Sequence, residues 1–148
     1  MSALKSTGLA NHLAVTGSMK AALDNGFIHI FSGPVPASAD DAIDVSSVLL
    51  ATISVDADGS TGLTFEAAAS NGVLTKTAAQ AWAGNIVASG TATFLRFCES
   101  SDAGTAASTT AKRLQDTVGT DISAGLVLTS AALVSGNTQN IDLFQVQQ

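Results

Sequence analysis

The 148-residue chain is poor in the groups that usually carry chemistry: one Cys, no Tyr, one Trp, two His, two Pro and six Lys plus Arg. Each shortage excludes something. A single cysteine, Cys98, rules out an intrachain disulfide and fits synthesis in a reducing compartment such as a cytoplasm. Six cations stand against twelve acids, for a net charge of −6. Only Lys112 and Arg113 are adjacent. Tight nucleic-acid binders cluster cations on one face and make roughly 6–10 phosphate contacts, so no direct nucleic-acid partner is expected. Mean hydropathy is +0.35. Yet no apolar run approaches the roughly 18 residues of a membrane span, so no membrane partner is expected. The first residues, MSALKSTGLANHLAVTG, contain no continuous apolar stretch, and no secretory signal is expected.

What is present is a series of short runs of Val, Ile, Leu, Thr and Phe, separated by Gly, Asp, Asn and Ser. Turn signals recur about every 8–15 residues, a spacing of all-β sandwiches and barrels rather than of βαβ units. The expected fold is all-β: an antiparallel β-sandwich, jelly-roll-like, with an extended N-terminal arm and one short helix. The arm is placed at 1–15, which is small and polar with scattered Leu and supplies few core side chains. The single β-sandwich domain is placed at 16–148. The helix is expected over 17–25: Thr16 or Ser18 caps it, Asn25-Gly26 supplies a left-handed exit, and Met19, Ala22 and Leu23 form one apolar face.

Phe27 to Phe31 is expected to be a strand apolar on both faces, ended by Gly33, Pro34 and Pro36. Residues 37–46 form an acidic loop. Val48 to Val55 is a strand that turns at Asp56-Ala57-Asp58-Gly59 and returns over Gly62 to Ala67, with Leu63 and Phe65 inward. Short strands follow near 72–76 and 84–89. The clearest alternating run is Thr91 to Glu99, followed by a loop over 100–110 and strands at 111–118, 122–129 and 138–146.

The motifs for catalysis and metal binding fail on inspection. Asp56-x-Asp58-x-Ser60 has a calcium-loop rhythm, but the positions that need Gly and Glu hold Thr61 and Ala67, so a turn is the better reading. There is no G-x-S-x-G elbow, phosphate loop or dinucleotide fingerprint. His29 lies mid-strand between Ile28 and Ile30, as a core or interface imidazole does, and His12 lies in the arm. Cys98 reads as a buried inert thiol. No catalytic residue, cofactor or metal ligand is assigned, and the chain is read as a non-enzyme. Arg96, between Phe94 and Cys98, sits on the less aliphatic face of its strand. It is either solvated or ion-paired to a neighbouring subunit. Phe27, His29, Phe31 and Arg96 are the candidate interface residues.

Several stretches carry a resemblance. Residues 27–40, FIHIFSGPVPASAD, resemble the opening of small structural proteins of tailed phages. Leu49-Leu50-Ala51-Thr52, residues 88–97 (ASGTATFLRF), Gln115-Asp116-Thr117-Val118-Gly119 and Ile141-Asp142-Leu143-Phe144 follow at the expected distances. The resemblance spans roughly 26–146. It implies a virion component, and within virions a head decoration (cement) protein: a homo-oligomer, commonly trimeric, that binds the major capsid protein on the outer head surface. The alternatives are a tail, neck or baseplate component, or a carbohydrate-binding β-sandwich. The last is disfavoured by the scarcity of aromatics.

Overall fold

The computed structural model describes residues 3–121 and 124–147. The first segment is not an extended arm. Leu4–Lys5 forms a short strand, β1, and Thr7–Val15 forms a nine-residue helix, α1. Ser6 is the reason this segment docks. Its Oγ accepts the Leu9 amide at 3.1 Å as a helix cap, donates to the Ala111 carbonyl at 2.7 Å and accepts the Arg113 amide at 2.9 Å. Leu9 is buried in the core. The expected boundary at residue 15 therefore fails, because the segment contributes both a core side chain and a strand. The described residues also form two helices rather than one. The second, α2, covers Met19–Leu23, is capped by Ser18 and buries Met19, Ala22 and Leu23 as the spacing requires. Asn25 takes the left-handed φ of 67°.

The main sheet runs in the order β1, β8 (Arg113–Gly119), β7 (Phe94–Cys98), β2 (Phe27–Phe31), β3 (Leu49–Val55), β5 (Trp82–Asn85) and β11 (Thr138–Ile141), with β9 (Leu126–Val127) also paired to β8. The remaining strands among the described residues are β4 Val73–Thr75, β6 Gly90–Thr91, β10 Ala132–Leu133 and β12 Gln145–Gln147. Every pairing is antiparallel except β8 with β9. Two ribbons, β6 with β10 and β4 with β12, and four isolated bridges complete the pairing among the described residues. The fold is thus all-β and mostly antiparallel.

Three expected strands differ in extent. Residues 62–67 do not return along β3, whose neighbours are β2 and β5; Leu63 and Phe65 instead make single bridges to Gly26 and Lys76. Both side chains are nonetheless buried, as expected. The strand expected at 138–146 is two strands in different sheets, β11 and β12. Of the strand expected at 122–129, residues 122 and 123 lie outside the described residues; Leu126–Val127 is paired.

Register sorts the sheet's two faces, because directly opposed residues point the same way. On one face Ile28 opposes Phe97 and Ile53, Ile30 opposes Leu95 and Ala51, and Phe97 opposes Leu114. The core lies on this face, closed by α1, α2 and an aromatic cluster. In that cluster Phe97 meets Phe65 at 5.4 Å and Trp82 at 6.0 Å, and Trp82 meets Phe144 at 5.7 Å between ring centres. Burial of these side chains is the main stabilising term, at about 1.5–3 kcal/mol for each large one.

Candidate functional site

The opposite face carries all four candidate interface residues. Phe27 opposes Cys98, His29 opposes Arg96, and Phe31 opposes Phe94, with a ring separation of 5.0 Å. On β8 the row continues with Gln115 opposite Arg96 and Arg113 opposite Cys98. Alternation thus gives this face the polar His29, Arg96, Arg113 and Gln115 beside three phenylalanines and Cys98, whereas the other face is aliphatic and aromatic.

That surface is covered by the chain itself. Two loops, 32–48 and 99–112, lie over it and bind each other: the Ile43 amide donates to Thr105 O at 3.1 Å and the Ser108 amide to Asp40 O at 2.9 Å. The sheet holds them from below through buried side chains. Arg96 is 0 % exposed. Its Nη1 donates to Gly104 O at 2.8 Å, its Nη2 to Ser38 O at 3.2 Å and its Nε to Gln115 Oε1 at 2.9 Å. Gln115 Nε2 donates to Pro36 O at 2.7 Å. Arg113 Nη1 reaches Ala39 O at 3.2 Å. Its Nε and Nη2 grip Asp102 at 2.5 and 3.0 Å. Both readings of Arg96, solvated or paired to a neighbour, give way to a third: its guanidinium is committed to carbonyls of its own loops. Phe31 is likewise fully buried, while Phe27 and His29 are half-buried.

The electrostatics follow from this packing. Burial, then the like charge of Arg113, presses the Arg96 pKa down, while Asp102 and Asp41 oppose the shift. Burial pushes the Asp102 carboxyl up, but Arg113 and the Gly104 amide outweigh it and hold the pKa below the usual value. Burial pushes the Cys98 thiol far up, so it is not a nucleophile at neutral pH. Gly104 lies directly over that sulfur at φ +74°, and a Cβ there would stand 2.7 Å from Sγ. His29 Nδ1 lies 3.2 Å from Thr52 Oγ1, and its Nε2 is buried without a hydrogen-bond partner. Burial lowers its pKa, against an opposing influence from Asp102.

The Asp56–Ser60 segment is a turn, with Asp58 Oδ1 accepting the Ser60 and Thr61 amides at 2.8 Å. Among the described residues no group of three or more His, Cys, Asp or Glu could hold a metal ion, and no helix is long and apolar enough to cross a membrane.

What the clamp presents outward is apolar and acidic. Val35, Val45 and Val48 are exposed on the 32–48 loop, Val45 fully so at 103 %. Asp44 lies between them in sequence and accepts the Ser46 amide at 2.8 Å. Reading the sequence by strands missed these valines; their signal is three branched apolar residues inside a Ser- and Asp-rich loop. No protein-family model, curated protein sequence or solved structure matches the chain.

Proposed function

We propose that the protein is a virion structural component of a tailed phage, a decoration protein that binds the outer head surface and stabilises the shell. The carrying observation is the clamped 32–48 loop. Buried Arg96, Arg113 and Gln115 hold its backbone at Ser38, Ala39 and Pro36, while Val35, Val45 and Val48 stand in solvent. A loop fixed before contact loses little conformational entropy on docking. Exposed branched side chains on a fixed loop give apolar area to a partner surface, here the major capsid protein. In this reading the main sheet is one layer of a sandwich, and the ribbons and helices are the other. The resemblance to tailed-phage structural proteins supports the proposed head location and trimeric association.

A sugar-binding module is less well supported, because Trp82 is buried and, among the described residues, the large exposed apolar side chains are seven valines and one leucine. The direct test is gold labelling of the protein on intact virions. Label over the head is expected. Label confined to the tail, neck or baseplate, or absent from the particle, would overturn the decoration reading.

A further inference from the structure

The strand path ends at β11 on one side, and on the other β9 continues it beyond part of β8. These two ends line one groove of about 400 Å³, formed by residues 126–129 and 138–143. Strands β9 and β11, at the two ends of the pairing, thus share one slot.

The backbone on both sides points into the slot. Asn137 O accepts the Ile86 amide at 2.8 Å, so by alternation Thr138, Asn140 and Asp142 direct their amides and carbonyls away from β5. The Gln139 side chain folds over to donate to Asn140 O at 2.8 Å, capping a carbonyl that has no partner strand among the described residues. The Leu128 amide donates to Gly119 O at 2.8 Å, so Val127 faces the slot. The floor is apolar, with Leu126, Leu128 and Ile141 buried, and Val127 and Leu143 stand exposed at the rim. Natural edge strands are usually protected by Lys, Pro or a bulge. Here β11 reads Thr-Gln-Asn-Ile and pairs with β5 in four unbroken register steps, with none of these devices.

We propose that this slot takes an extended segment of a different polypeptide, which adds as a strand between β9 and β11. Strand addition supplies main-chain hydrogen bonds for affinity and alternate side-chain pockets for selectivity. The six residues 138–143 span about 20 Å of extended chain, room for a strand of similar length. The occupant carries β-branched apolar side chains at alternate positions, facing the floor. Asp142 is the one charged residue among the described lining residues, so a Lys or Arg in the occupant is favoured. A second copy fits less well: the chain is acidic, and its segments β1 and β12 are already paired to β8 and β4. Donating either would break existing pairs. This inference stands independently of the virion reading.

The test uses the full chain and a blocked hexapeptide, Lys-Val-Thr-Val-Thr-Val, followed by amide hydrogen exchange. Saturable binding with roughly tenfold slower exchange at Val127, Thr138 and Asn140 is expected. The same peptide N-methylated at alternate residues should fail to bind. Asn140→Pro should abolish binding in a protein that still unfolds cooperatively. Should that variant misfold, Asp142→Lys decides the matter by reversing the preference from a Lys-bearing to a Glu-bearing peptide. No saturation below about 1 mM, equal binding of the N-methylated peptide, or protection elsewhere would overturn the proposal. So would a dimer in sedimentation whose unliganded form already protects these amides, since a second copy would then be the occupant.

Discussion

Arg113 and Asp102 form a two-pronged pair, Nε to Oδ2 at 2.5 Å and Nη2 to Oδ1 at 3.0 Å, with the arginine side chain 1 % exposed. The pair joins β8 to the 99–112 loop. Removing one partner of a buried pair leaves the other charge uncompensated, at a cost of about 3–5 kcal/mol. Asp102→Ala is therefore expected to lower the unfolding free energy measured in urea by an amount in that range. The pH dependence has a definite sign. The Asp102 pKa is depressed in the folded state, so its stabilisation is present above the unfolded value of about 3.9 and is lost as pH falls through the native one. Asp102→Asn should flatten stability against pH in that acid window. An unchanged acid limb would assign acid sensitivity to other carboxylates.

Arg96 tests the clamp without an ion pair. Its three bonds go to Gly104 O, Ser38 O and Gln115 Oε1. Arg96→Lys keeps the charge but cannot reach in three directions. A loss of about 2–4 kcal/mol is expected, with each stranded carbonyl contributing about 1–3. Limited proteolysis should then cut within 32–48 and 99–112 before the sheet. Cleavage rates equal to wild type in both loops would show that the loops hold without Arg96.

His29 gives a prediction near neutral pH. Burial lowers its pKa, with Asp102 opposing, while Thr52 and Arg96 flank it on β3 and β7. The unfolded state therefore binds the proton more readily. Stability should fall as pH drops below the unfolded value of about 6.5 and level off below the native one. His29→Gln should remove that part of the slope between pH 7.5 and 5. If the slope persists in the variant, another group titrates there.

The N-terminal segment should behave as part of the fold. Leu9 is 0 % exposed, and a Cβ on Gly8 would lie 2.3 Å from the Thr110 carbonyl oxygen. Leu9→Ala should cost about 2–5 kcal/mol, and Gly8→Ala about 1–3 through overpacking. Deleting residues 1–15 should lower the melting temperature sharply or abolish the cooperative transition. A truncated protein that melts like the full chain would restore the reading of a detachable arm.

These outcomes track what could be read from residues alone. Helix α2 was legible because its cap, its apolar spacing and its Asn exit are local. So were β2, β3 and β7, where apolar residues alternate or run unbroken. Helix α1 was not: Gly8, Asn11 and His12 blur its apolar face. Its stability comes from afar, since Asp40 accepts the Thr7 amide at 2.7 Å and Ser6 ties it to β8. The Asp56–Gly59 turn was legible, but a turn does not name the strand that follows it in space. Alternation put Arg96 on the face opposite the aliphatic core; only loops joined across long sequence separations make that face an interior.

The proposed role of the clamped loop is to dock the protein on a phage head. Its most direct test compares DNA retention on heating for heads lacking the protein, heads bearing it, and heads offered Val45→Asp. Val45 is fully exposed, so the variant should fold normally. A ligand at about 100 times its dissociation constant contributes roughly 2.7 kcal/mol per site, repeated over the shell. The account predicts that bound wild-type protein raises the temperature of DNA loss, that roughly 0.5 M salt does not strip it off, and that Val45→Asp binds poorly and protects little. Equal retention with and without the protein would contradict it.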